Sequence, residues 1–215
     1  MIIYIVLFLT AASFGCADTS LKQPYIRPHI AEYIDHKCHA RFGMVFNETQ
    51  QLQRLAIIRC EVVFLLLKTG NDYYKFYCER KVANQCCELA VASHMDCLSS
   101  EEQYLSKFFV SSFEQATKHF CSGEKEDVIK KIENITNTEC VRNIEFSNLI
   151  VKCLNDVFKI EDIKNFVLSR PLVCGQLPEF KTCFEEAVQL QCKNTLLTEV
   201  IHDVFTPSLD WCNFN

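Results

Sequence analysis

The chain has 215 residues, 49% of them hydrophobic, enough to bury a core in one domain or two small ones and too apolar for a disordered segment. Its formal net charge of −5 comes from interspersed acids and bases, which leaves no continuous positive footprint for nucleic acid or an anionic membrane. Fourteen cysteines behind a secretory-type leader imply disulfides in an oxidising compartment rather than metal ligands or catalytic thiols.

Residues 1–17, MIIYIVLFLTAASFGCA, form an apolar run closing on small side chains, with Gly15 and Ala17 where signal peptidase needs them. They read as a cleaved signal peptide, and the run is short for a membrane span, which needs about twenty residues. Cleavage removes Cys16 and leaves thirteen of the fourteen cysteines, an odd number. Residues 18–28 carry Pro24 and Pro28 and read as an extended lead-in. One disulfide-rich helical domain, residues 29–215, is expected to follow.

Ile30, Ile34, Cys38, Phe42 and Val45 recur at helical spacing, and a second helix over 49–68 carries Leu52, Leu55, Ile58, Val62 and Leu66 before Gly70 stops it. These two helices are expected to pack together. The apolar run 62–67 is flanked by Arg59, Glu61 and Lys68, too short for a membrane, and reads as a buried core helix.

A helical hairpin is predicted next, with helices over 81–97 and 99–119. Ser99 followed three residues later by Glu102 has the spacing of a capping box, which marks the start of the second helix by satisfying orphan backbone donors. A charged helix over 124–133, an amphipathic one over 139–158 and a short one over 161–168 come after. A second hairpin then pairs 179–192, opened by Pro178, with 195–205, ended by Pro207. The total is seven to nine helices with no sustained strand alternation, an all-α fold.

The two hairpins share a cysteine skeleton. Cys78, Cys87, Cys97 and Cys121 in residues 78–121 are echoed by Cys174, Cys183, Cys192 and Cys212 in residues 174–212. Two helical hairpins stapled at their ends are therefore expected as pseudo-repeats.

The sequons Asn47-Glu48-Thr49 and Asn134-Ile135-Thr136 make Asn47 and Asn134 candidate N-glycosylation sites at helix boundaries. Cys86-Cys87 followed by His94-Met95-Asp96 superficially resembles the secreted phospholipases. Met95 breaks the required His-Asp adjacency, however, and a chain with five glycines has no glycine-rich calcium loop. His36, Cys38 and His39 beside Asp35 spread over several faces of one helix and match no zinc spacing, so no metal or cofactor is expected. There is no nucleophile elbow, dinucleotide fingerprint or phosphate loop. Carboxylates such as Glu101, Glu102, Glu185 and Glu186 read as helix-surface acids. An enzyme is not expected.

The cysteines and the residues between them support a resemblance over residues 74–212. It rests on Tyr77-Cys78 with Arg80, Cys97-Leu98 leading into Glu101 and Glu102, Phe120-Cys121, and Glu139-Cys140. It continues through Cys153, Cys174, Phe180, Cys183, Cys192, Thr195, Val200, Val204, Phe205 and Cys212. In these the chain resembles the insect 27 kDa hemolymph glycoprotein family, with Cys38 and Cys60 fitting its more variable N-terminal part. The resemblance implies a secreted, extracellular, helical hemolymph glycoprotein with no established catalytic activity or ligand. Two departures stand out: Ile135-Thr136-Asn137-Thr138-Glu139 replaces a glycine-rich step, and Cys86-Cys87 stands where one cysteine is expected.

The disulfide candidates are Cys38, Cys60, Cys78, Cys86, Cys87, Cys97, Cys121, Cys140, Cys153, Cys174, Cys183, Cys192 and Cys212, giving six bridges and one leftover thiol at Cys86 or Cys87. That thiol is free, buried or the link in a disulfide-bonded dimer. Connectivity is not readable from sequence, but the hairpins favour Cys183 towards Cys212 and Cys87 towards Cys121. Function is expected to be binding, to an extracellular ligand or surface. The alternatives are a secreted enzyme of unrecognised chemistry and a carrier of a hydrophobic small molecule, whose inter-helix cavity would be lined by Phe64, Leu65, Phe109 and Phe113.

Overall fold

The computed structural model describes residues 29–42, 48–138, 144–193 and 195–214. The leader, the lead-in, Asn47 and Cys140 lie outside them. The described residues contain nine α-helices and no strand. In chain order these are α1 (His29–Phe42), α2 (Glu48–Leu65), α3 (Gly70–Tyr74), α4 (Val82–Met95), α5 (Tyr104–Phe120), α6 (Lys125–Thr136), α7 (Ile144–Val157), α8 (Arg170–Cys192) and α9 (Thr195–Phe214). A π-helical turn, Lys75–Glu79, follows α3, and a 3₁₀ turn, Ser100–Glu102, leads into α5. The fold is a disulfide-rich, all-α bundle.

Buried apolar side chains gather in two clusters. The larger one joins α1, α5, α7, α8 and α9 through residues such as Leu105, Phe108, Phe184, Val188, Leu197 and Ile201. Its rings meet edge to face, with Phe180 touching Phe158, Phe184 and Phe205 at 5.6–6.2 Å between centroids, the preferred geometry of aromatic quadrupoles. The smaller cluster joins α2, the π-helical turn, α4 and α5 through Phe76, Ala83, Cys86, Cys87, Val91 and Phe113. Phe109 of α5 packs against both. Among the described residues, α1 contributes to the larger cluster and α2 to the smaller one.

Five bridges are Cys38–Cys97, Cys60–Cys86, Cys78–Cys121, Cys153–Cys183 and Cys174–Cys212. Cys192 is also disulfide-bonded, and Cys87 is free and buried. The pairings Cys183–Cys212 and Cys87–Cys121 are therefore overturned. An antiparallel hairpin brings the start of one helix beside the end of the next, and Cys174, the fifth residue of α8, lies near that start. Cys183 lies about two and a half turns further along, where it faces α7 instead.

The corrected pairing makes the internal repeat clearer. In each unit the first cysteine bonds to the last, Cys78 to Cys121 and Cys174 to Cys212, at separations of 43 and 38 residues. In each, a cysteine in the first hairpin helix bonds back to the preceding long helix, Cys86 to Cys60 and Cys183 to Cys153, at separations of 26 and 30. Cys86, not Cys87, is the counterpart of Cys183.

Several element boundaries differ from expectation. Helix α8 starts at Arg170 with Pro171 in its first turn and runs through Pro178, while α9 runs through Pro207 to Phe214. An interior proline costs about 3 kcal/mol. Val173, Leu177, Phe180, Phe184 and Val188 nevertheless continue one buried stripe across Pro178, at about 1.5–3 kcal/mol per side chain, so burial outweighs the lost hydrogen bond. Beyond Pro207, Trp211 packs on Tyr104 and Phe108 and Cys212 is bridged.

Residues 161–168 form no helix. Asp162 closes a single turn, its carboxylate accepting from Lys164 N at 3.1 Å and Asn165 Nδ2 at 2.7 Å. Gly70 opens a helix rather than only ending one: Thr69 and Asp72 form a reciprocal capping box at the start of α3.

Candidate functional site

Three features outside ordinary packing merit description: a buried carboxylate, a buried thiol and an exposed apolar ridge. The carboxylate is Glu102, expected on the surface but fully buried. The capping box places it there, since Ser99 N and Oγ donate to Glu102 Oε2 at 2.9 and 2.7 Å. With its backbone fixed by that turn, the side chain meets two further elements. Lys37 Nζ of α1 lies 3.2 Å from Oε2, while Oε1 accepts from the Tyr33 hydroxyl and from Leu168 N, the latter at 3.0 Å.

Burial alone would raise the Glu102 pKa, but the hydrogen bonds from Tyr33, Ser99 and Leu168 overcome it and hold the group down to about 2. Burial and the bond to Glu102 push the Tyr33 phenol well above its ordinary value, so Tyr33 is the proton donor of the pair. The hub joins α1, the start of α5 and the segment before α8, close to the Cys38–Cys97 bridge. With both oxygens engaged, Glu102 holds a charge in place at neutral pH and does not exchange a proton.

The thiol of Cys87 sits in the smaller cluster, 4% exposed. Burial, followed by the charges of Glu88 and Glu114, pushes it up to about 12, so it is protonated and unreactive. Its neighbour Cys86 is bridged to Cys60. A dimer linked through either residue would require this core to open or that bridge to break.

The ridge belongs to α2, which is apolar on two opposite sides. Cys60, Val63, Phe64 and, just past the helix, Leu67 face the smaller cluster, Ile57 is buried on the same side of the helix, and Cys60–Cys86 fastens that side to α4. Leu55, Ile58, Val62 and Leu65 occupy the other side within an arc of roughly 100°, with exposures of 62%, 39%, 49% and 77%; Leu66, at 66%, extends the ridge. The run 62–67 is therefore not the buried core helix expected from sequence, because α4 covers only one side of it. An apolar strip on a single helix was legible as period; its exposure was not.

Three of the four expected cavity residues, Phe64, Phe109 and Phe113, come together at the smaller cluster, and Leu65 does not. Leu65 points to solvent, Phe113 is buried in the smaller cluster, and Phe64 packs against Tyr73 and Phe76. Phe109 is half-buried against Phe108. An open groove of about 660 Å³ lies elsewhere, lined by Glu185 of α8, Lys193 just past its end, and His202 and Asp203 of α9, among others. His202 Nδ1 is 3.8 Å from Glu185 Oε1, and His119 of α5 is 3.3 Å from Asp203. Among the described residues no three His, Cys, Asp or Glu side chains are placed to hold a metal ion. His36 and His39 are exposed, and Cys38 is bridged. Asn134 is exposed in the last turn of α6.

Among the described residues no helix is long and apolar enough to cross a membrane. No curated protein and no solved structure matches the chain. A family model described as Protein of unknown function (DUF1397) matches residues 67–210, which hold the first stapled unit and the second as far as Asp210. With two thirds of its length matched, the chain belongs to that family of proteins of unknown function, DUF1397.

Proposed function

We propose that the protein is a secreted, non-enzymatic extracellular glycoprotein of hemolymph type that acts by binding, and that the outward ridge of α2 is its binding surface. The ridge carries this reading. A soluble helix normally turns one apolar face to the core and a polar face to water, whereas α2 keeps a second apolar face exposed after the first is buried. Contiguous exposed apolar surface of this kind is typical of interaction sites. The disulfides support an oxidising, extracellular setting, and the exposed Asn134 is accessible to glycan addition.

Sedimentation of the protein in the fluid into which it is secreted tests this. The wild-type chain is expected in a species larger than one glycosylated chain, and Leu65→Glu is expected to release it as a monomer. Wild-type protein sedimenting as a bare monomer at its native concentration would overturn the proposal.

A further inference from the structure

We propose that the occupant of the α2 ridge is a second copy of this chain, joined in a reversible two-fold dimer of α2 against α2. This rests on the reading of the ridge as a binding surface and names its partner. The spacing is the first argument. Leu55, Ile58, Val62 and Leu65 follow one another at three, four and three residues, the seam by which one helix packs against another. The chain's net charge of −5 opposes attraction to anionic lipid, and a membrane surface favours a wider apolar face than this seam.

Symmetry is the second. Each copy carries the same seam, so a two-fold contact is self-complementary and supplies each seam with a matching helix. Area is the third. The exposed parts of the five ridge side chains amount to roughly 500 Å² per chain, so pairing buries about 1,000 Å² of apolar surface, the low end for a specific interface. The dimer is therefore one that dissociates on dilution. Finally, the Cys60–Cys86 bridge on the opposite side of α2 fixes the seam beforehand, which lowers the ordering cost of association.

The experiment is analytical ultracentrifugation of the purified, disulfide-intact full chain across a dilution series from hundreds of micromolar to tens of nanomolar. The expected result is a concentration-dependent shift between one and two chain masses, retained when free thiols are blocked. Val62→Glu and Leu65→Glu each change an exposed residue, so they are expected to keep the wild-type helical circular dichroism while moving the midpoint at least tenfold higher. A chain that stays monomeric throughout overturns the dimer, as does a dimer insensitive to both substitutions. Flotation with neutral phosphatidylcholine vesicles separates the two proposals: a monomer that floats, and stops floating when Leu65 becomes Glu, refutes the dimer while leaving the ridge a binding surface.

Discussion

Replacing Glu102 by Gln keeps the shape of the side chain and removes its charge. The amide oxygen can still accept from Ser99, but the amide nitrogen then faces the backbone N–H of Leu168, donor against donor. Tyr33 can turn its proton to the Phe166 carbonyl, 3.0 Å away, so that partner is recoverable. The Leu168 N–H is not, at about 1–3 kcal/mol for a buried unsatisfied donor. Lys37, whose side chain is 19% exposed, loses its counter-charge as well, and the total loss is expected at about 3–4 kcal/mol.

Acid titration provides a second measure. The folded pKa of Glu102, about 2, lies below its ordinary value of 4.5. The folded state therefore gains stability from this group at pH above 4.5, and that gain disappears as pH falls from there towards 2, an amount of about 3 kcal/mol. Urea unfolding without reductant, followed by circular dichroism and by the fluorescence of Trp211, the chain's single tryptophan, should show both effects. Glu102→Gln should be weaker at pH 7 and should lose less stability than wild type between pH 4.5 and 2. A variant within about 0.5 kcal/mol of wild type at pH 7, the usual scatter of surface substitutions, or one with the wild-type acid slope, would refute the assignment of Glu102 as a buried charged hub.

Three further outcomes are expected. Cys87 should resist alkylation in the native protein and react as the single additional thiol once the unreduced chain is unfolded in urea, read by intact mass; rapid native labelling would mean that it is not buried. Peptide mapping should recover Cys153–Cys183 and Cys174–Cys212, and removing the latter bridge, whose loop spans 38 residues, should cost about 4 kcal/mol by loop entropy, with a loss below about 1 kcal/mol counting against that accounting. At Gly70 an added Cβ would lie 2.5 Å from Glu133 Cγ, so Gly70→Ala should destabilise by about 1 kcal/mol, and Glu133→Ala should largely relieve it in a double-mutant cycle; purely additive effects would show that the contact is not the cause.

Much of the helical framework is local and was readable. Ser99 and Glu102 cap the helix entrance that their spacing predicts, because a capping box involves only neighbouring backbone donors. The stripe of α5, with Leu105, Phe108, Ser112, Phe113 and Ala116 buried, follows from period alone. Local reasoning failed at Pro178 and Pro207, which propensity treats as helix boundaries, since distant side chains on α5, α7 and across the α8–α9 hairpin supply the burial that carries both helices through. It also left Glu102 on the surface, because nothing near it in sequence announces Tyr33, Lys37 or Leu168.

The sequence by itself determined an all-α, cysteine-bridged chain with a repeated hairpin, since helical period, capping and cysteine spacing act over a few residues or recur visibly along the chain. Tertiary structure alone decided which cysteines bond, which of Cys86 and Cys87 is left over, which carboxylate is buried and which apolar face of α2 stays in water. Those depend on which elements lie side by side in space. A helix with two apolar faces has no local preference for either, and only the placement of α4 against one of them leaves Leu55, Ile58, Val62 and Leu65 exposed.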